Sequence, residues 1–341
     1  MSNPTLIEVL RGPLVESRHR GAVAIADAAG RLVLSLGDTE AAVFPRSAIK
    51  VMQALPLVLS GAAEAYGYGD RELALACASH GGEPRHSDLA ASMLARAGLD
   101  AGALECGAHA PSNEKVARAM LVAGENPGPL HNNCSGKHSA MLAVARHLGE
   151  AHQGYVRPDH PVQRRIAALM TELTGAPATP DVCGIDGCSV PTWALPLEAW
   201  ARGFARMVAA GPGASAPLAA GRRLMAACMA EPGYVAGERR FCTDVMAALK
   251  GAAFVKTGAE GVFCAAVPAF GLGIALKIED GATRASEAAM AAILSGLLPG
   301  HLDLFDRWQA KPVRNVVGAV VGSLRPAAEF AQACRSLARA A

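Results

Sequence analysis

The spacing of apolar positions changes twice along the chain. Near the start, apolar and polar residues alternate over residues 6–10, 22–25, 31–35 and 42–44. A period of two puts alternate side chains on one face of a strand. Ala29-Gly30 and Gly37-Asp38 supply turns between these runs. From about residue 70 the spacing becomes three and four, with Asp70, Ser87 and Ser112 ahead of apolar runs as helix starts. Helices are predicted over 71–77, 88–97, 114–122, 135–148, 161–173, 197–209 and 217–229. Strand patterns return at 253–256, 262–266 and 272–277. A helix at 284–297, a strand at 316–321 and a helix at 326–340 complete the pattern.

Strands at both ends with helices between them predict an α+β fold. The expectation is one domain over 1–341 in two lobes: an antiparallel sheet lobe from 1–45 and 250–341, and an inserted, mainly helical lobe over 46–249. Hydrophobic residues make up 51% of the chain, enough for a sizeable core. The net charge of +2, from 32 basic and 30 acidic side chains, argues against a nucleic-acid surface. No apolar run is long enough for a bilayer span. The N-terminus has no basic region followed by an apolar core, so a cytoplasmic protein is expected. In that setting the nine cysteines read as thiols or metal ligands rather than disulfides. Cys77, Cys228 and Cys334 sit in apolar runs and read as core residues. Cys134, Cys183 and Cys188 lie among glycines and polar residues.

Three segments carry candidate chemistry. The first is Ser47-Ala-Ile-Lys50, answered far downstream by Lys256-Thr257-Gly258. Ser-x-x-Lys with a later Lys-Thr-Gly is the layout of serine hydrolases that use lysine as the base. If a helix starts at Ser47, residues i and i+3 share a face and Lys50 reaches the Ser47 hydroxyl. Free N–H groups at the helix start would then suit a developing oxyanion. Lys50 must be neutral to accept a proton, and Lys256 is a candidate second ammonium to depress its pKa. The second segment is the run from His131 to His138, which holds Cys134 and Lys137, together with Cys183-Gly-Ile-Asp186-Gly-Cys188. Cys134 and Cys188 with one nitrogen donor half-build a zinc site. Lys137 is an unusual donor and His138 the more ordinary one, and spacing leaves both open. The third is Ser79-His80-Gly81-Gly82, polar residues at a turn after a helix.

Taken together, these segments resemble the asparaginase II family, the rhizobial inducible type of L-asparaginase. The resemblance rests on Phe44-Pro-Arg-Ser-Ala-Ile-Lys50, Cys77-Ala-Ser-His-Gly-Gly-Glu83, Asn132-Asn-Cys-Ser-Gly-Lys-His138, Gly184-Ile-Asp-Gly-Cys188 and Lys256-Thr-Gly-Ala-Glu-Gly261. It implies a serine-β-lactamase/glutaminase-like fold, a homodimer, and hydrolysis of L-asparagine to aspartate and ammonia. It implies two serine–lysine tandems, Ser47 with Lys50 and Ser79 with Lys256. It implies zinc on Cys134, Lys137 and Cys188, with water completing the sphere. Arg46, His138 and Asp186 fall at the family's polar positions beside substrate and metal. On this basis Arg46 is expected to clamp the substrate carboxylate and Asp186 or Glu260 its ammonium, with His80 and Gly258 also lining the substrate site. Rival readings are a glutaminase, one methylene away in substrate; a penicillin-recognising hydrolase, whose Ser-Asp-Asn or Tyr-x-Asn segment is not evident; and a non-catalytic zinc module, which needs no serine–lysine pair.

Overall fold

The computed structural model describes residues 2–337. Eight strands form one sheet: β1 (Thr5–Arg11), β2 (Leu14–Ala26), β3 (Leu32–Leu36), β4 (Phe254–Thr257), β5 (Val262–Val267), β6 (Leu272–Ile278), β7 (Pro312–Arg314) and β8 (Val320–Pro326). Their spatial order is β7-β8-β1-β2-β6-β5-β4, with β3 also on β2, and every pairing is antiparallel. The sheet curls, and the fold is α+β, as the strand–helix–strand pattern predicts. Its central strands are buried at consecutive positions, six in a row in β5. That pattern requires cover on both faces. Helix Leu197–Val208 packs on β2, β5 and β6, and helix Thr283–Leu297 on β1, β6 and β8. The residues between β3 and β4 are mostly helical.

Several boundaries differ from expectation. β2 begins at Leu14 rather than at residue 22. Its first half alternates exposed and half-buried residues in a hairpin with β1 across Gly12, whose φ is +53°. The strand expected at 316–321 is β8, and residues 315–319 form the turn before it. The last helix is Ala328–Ser336, and the expected continuation over 338–340 falls outside the described residues. Helices Phe241–Leu249 and Leu302–Gln309 were not expected. The Gly-rich 183–191 segment is a hairpin, Cys183–Ile185 paired with Pro191–Trp193. Among the described residues no helix is long and apolar enough to cross a membrane.

Candidate active site

Ser79 follows helix Asp70–Ala76, whose last turn ends at Cys77. Helix Ser135–His147 crosses this end closely: a side chain on Gly136 would place its Cβ 2.3 Å from the Leu75 carbonyl oxygen. Glycine there lets the Cys134 end of the second helix reach the 77–79 turn. β4 brings Lys256 from the sheet. Gly258, two residues on, lies against the turn that bears Ser47, where an added Cβ would sit 2.8 Å from the Pro45 carbonyl oxygen. A helical turn, a helix start and a strand end thus meet at one point.

Ser79 Oγ stands at the centre, 2.9 Å from Lys50 Nζ and 2.9 Å from Lys256 Nζ. Both lysines are 1% exposed. Lys50 Nζ also donates to the Ala78 carbonyl and to Cys134 Sγ at 3.0 Å. Those three acceptors use all three protons of an ammonium. Lys256 Nζ has one further partner, the Thr257 carbonyl at 2.7 Å. Burial, and then the Lys50 ammonium, push the Lys256 pKa down to about 7. A neutral Lys256 keeps a lone pair for the Ser79 proton.

The Ser79–Lys256 contact is the one the family resemblance implies, whereas Lys50 meets Ser79 rather than Ser47. Ser47 lies in a 3₁₀ turn, Arg46–Ile49, ahead of the short helix Lys50–Gln53. Its hydroxyl makes no hydrogen bond among the described residues, and Lys50 turns instead to the 78–79 turn. The lysine is long enough to leave its own turn, and three acceptors wait there. Of the two lysines at Ser79, Lys256 is the one whose burial favours the neutral amine.

Arg46 and Asp186 form the next layer. Arg46 Nε and Nη2 both donate to Asp186 Oδ1, at 3.0 and 2.9 Å, and the Gly187 N–H reaches the same oxygen at 2.6 Å. Asp186 Oδ2 makes no hydrogen bond among the described residues. Arg46 has φ +49°, and Ser189 and Glu260 have φ of +74° and +57°. Non-glycine residues held in the left-handed region gather at functional sites. Glu260 is exposed and shares a cleft with Arg46.

The sulfurs sit behind Ser79. Lys137 Nζ is 3.0 Å from Cys188 Sγ, and Cys134 Sγ lies 2.9 Å from Asn133 Oδ1. Cys134, Lys137 and Cys188 are each at most 5% exposed. A hydrogen bond from Cys188, joined by the charges of Lys50 and Lys137, holds the Cys134 thiol well below its usual range, while the same bond and burial push Cys188 up. Two sulfurs and one amine nitrogen gather in the interior; the sulfurs suit zinc, and the nitrogen fits once Lys137 gives up the proton that Cys188 and Cys134 favour while no ion is bound. His138 does not join them. Its Nδ1 bonds the Tyr155 hydroxyl at 2.6 Å, its Nε2 has no partner, and no group of three His, Cys, Asp or Glu able to hold a metal occurs among the described residues.

His80 also turns inward. Its Nδ1 accepts from the Gly82 N–H at 3.1 Å, so Nε2 carries the proton and donates to Ser135 Oγ at 2.9 Å. Its ring stacks on His86 at 4.7 Å. Both nitrogens are taken by the fold, which makes His80 a brace for the 79–82 turn. Sequence reasoning missed Asn133 and Tyr155. Asn133 lay inside a quoted segment, but nothing in the pattern linked Tyr155 to His138.

A comparison with curated proteins found no match. The family model for L-asparaginase II matches residues 7–326, nearly the whole chain. That span contains every residue of the Ser79 centre, and the chain belongs to the L-asparaginase II family, a family of asparaginase-type amidohydrolases.

Proposed function

We propose that the protein hydrolyses L-asparagine to L-aspartate and ammonia through an ester on Ser79, with Lys256 as the base. One observation carries this: Ser79 Oγ lies 2.9 Å from a lysine whose pKa is about 7 and 2.9 Å from a second lysine with all three protons engaged. Ser79 gives its proton to Lys256 as it attacks the carboxamide of the substrate. The Lys50 ammonium faces the developing negative charge. Lys256 then returns the proton to the leaving ammonia, and water cleaves the ester. Arg46 takes the substrate carboxylate, and the free Asp186 Oδ2 takes its ammonium. Ser47, with its hydroxyl unbonded on the adjoining turn, offers the substrate a donor and an acceptor.

Cys134, Lys137 and Cys188 would hold zinc, which when bound supplies positive charge and a tie between two segments, and so adds to folding free energy. Lys137 would bind as a neutral amine, releasing on metal binding the proton that the two sulfurs otherwise hold on it. The family resemblance leads us to expect a homodimer, which sedimentation velocity checks. The test of the reaction is ammonia release from L-asparagine, with acid-quenched enzyme analysed by peptide mass spectrometry. An aspartyl ester on the Ser79 peptide supports the assignment, whereas full turnover by folded Ser79→Ala overturns it.

A further inference from the structure

Beside Arg46 opens a cleft of about 390 Å³ whose walls include Phe44, Arg46, Ile185, Thr192, Glu260 and Lys277. Its chemistry exceeds what free asparagine needs. Phe44 and Ile185 are apolar yet 45% and 62% exposed, and asparagine has a single methylene to offer them. The Glu260 carboxylate makes no hydrogen bond among the described residues, and its backbone is fixed by Lys277 Nζ, which donates to the Glu260 carbonyl at 2.6 Å. Two segments that line the cleft run on into the reaction centre. Arg46 precedes Ser47, and Glu260 lies four residues past Lys256 in the segment that crosses the Ser47 turn at Gly258.

We infer that the cleft admits dipeptides with a C-terminal asparagine and an apolar residue before it, and that the enzyme deamidates them. The inference rests on the amidohydrolase reading above. The asparagine carboxylate stays on Arg46, and its amide N–H replaces the ammonium at Asp186 Oδ2. The apolar side group lies on Phe44 and Ile185. The N-terminal ammonium meets the Glu260 carboxylate, which is opposite in charge and exposed. The chemistry is unchanged: the C–N bond of the asparagine carboxamide breaks as the serine ester forms, ammonia leaves, and water releases an aspartyl dipeptide with its peptide bond intact.

The test compares L-leucyl-L-asparagine, glycyl-L-asparagine, L-asparaginyl-L-leucine and free L-asparagine, by ammonia release and product mass. L-leucyl-L-asparagine should give leucyl-aspartate with kcat/KM roughly tenfold above glycyl-L-asparagine, a factor worth about 1.4 kcal/mol. L-asparaginyl-L-leucine, which moves the carboxylate away from Arg46, should be inert. Ile185→Ser and Phe44→Ser should each remove the leucyl advantage while free asparagine stays within about twofold in kcat/KM. The inference is overturned if free asparagine is hydrolysed but L-leucyl-L-asparagine is inert or no better than the glycyl peptide, or if the variants slow both substrates alike. If free asparagine is not hydrolysed either, the amidohydrolase reading falls first and takes this one with it.

Discussion

Replacing Lys50 by methionine should move the acid limb of the pH–rate profile upward. On the proposed mechanism the base is Lys256, whose pKa burial and the Lys50 charge push down to about 7. The limb of kcat/KM should therefore be centred near neutrality, with roughly 1% of the base in its active form at pH 5. Lys50 and Lys256 each lie 2.9 Å from Ser79 Oγ, so their nitrogens are at most about 6 Å apart. Two positive charges at that separation repel by about 3 kcal/mol at an effective dielectric of about 20, or about two pH units. Removing the Lys50 charge makes protonated Lys256 easier to form, so its pKa rises and more alkaline conditions are needed. Burial is the larger cause of the depressed pKa and stays in place, so the midpoint should rise by about one to two units. Methionine keeps length and apolar character without charge. The assay is steady-state ammonia release from pH 5 to pH 10, and only the midpoint matters, because the plateau also falls when an electrostatic partner is lost. A folded, active Lys50→Met enzyme whose midpoint stays put or moves to lower pH would show that the two lysines do not share Ser79.

Ser79→Ala should lower kcat by about three orders of magnitude or more with its melting temperature nearly unchanged, and Ser47→Ala by clearly less; equal losses would give the two hydroxyls equal standing. Arg46→Ala should raise KM for asparagine by roughly tenfold to a hundredfold, the value of a charge-assisted pair at about 1.5–3 kcal/mol, with kcat changed far less; an unaltered KM removes Arg46 from the carboxylate. The purified protein should carry about one zinc per protomer by elemental analysis, and Cys188→Ser should lose it; a fully active metal-free preparation defeats the zinc reading. Gly258→Ala should cost about 1–3 kcal/mol in urea unfolding, because its Cβ has no room against the Pro45 carbonyl, and a neutral result would mean that the Ser47 turn gives way.

The family resemblance carried the Ser79–Lys256 contact, but nothing in the spacing showed that Lys50 also reaches Ser79. Lys50 and Lys256 were visible because each sits in an apolar run where a solvated lysine is out of place. Which serine they approach depends on where helix Asp70–Ala76 ends relative to the Ser47 turn, and no local spacing encodes that. The choice between Lys137 and His138 was likewise open, since adjacent helical residues point in directions about a quarter-turn apart and the Tyr155 hydroxyl decides which way the histidine faces. The sheet's central strands were legible from their apolar runs. The outer half of β2, with Glu16 and Arg18, was not, because a strand exposed on one face and paired only in a hairpin carries little apolar signal. Helix Leu302–Gln309 has eight residues, too few for its apolar side, Leu304, Phe305 and Trp308, to establish a period.

The pairing of β1 with β8 has a consequence for synthesis. Ile7 sits opposite Pro326 and Leu10 opposite Ser323. When the polypeptide leaves the ribosome, β1 and β2 can zip as a hairpin at once, but the other edge of β1 waits for residues made more than three hundred positions later. At about 5–20 residues per second that interval is roughly 15–60 s. Throughout it the nascent polypeptide displays a row of unpaired backbone donors and acceptors, with Leu6, Ile7 and Val9 uncovered beside them. A chaperone that recognises extended apolar segments therefore has its longest opportunity at the N-terminal hairpin, and slowing translation near the end of the message should increase aggregation more than slowing it near the start.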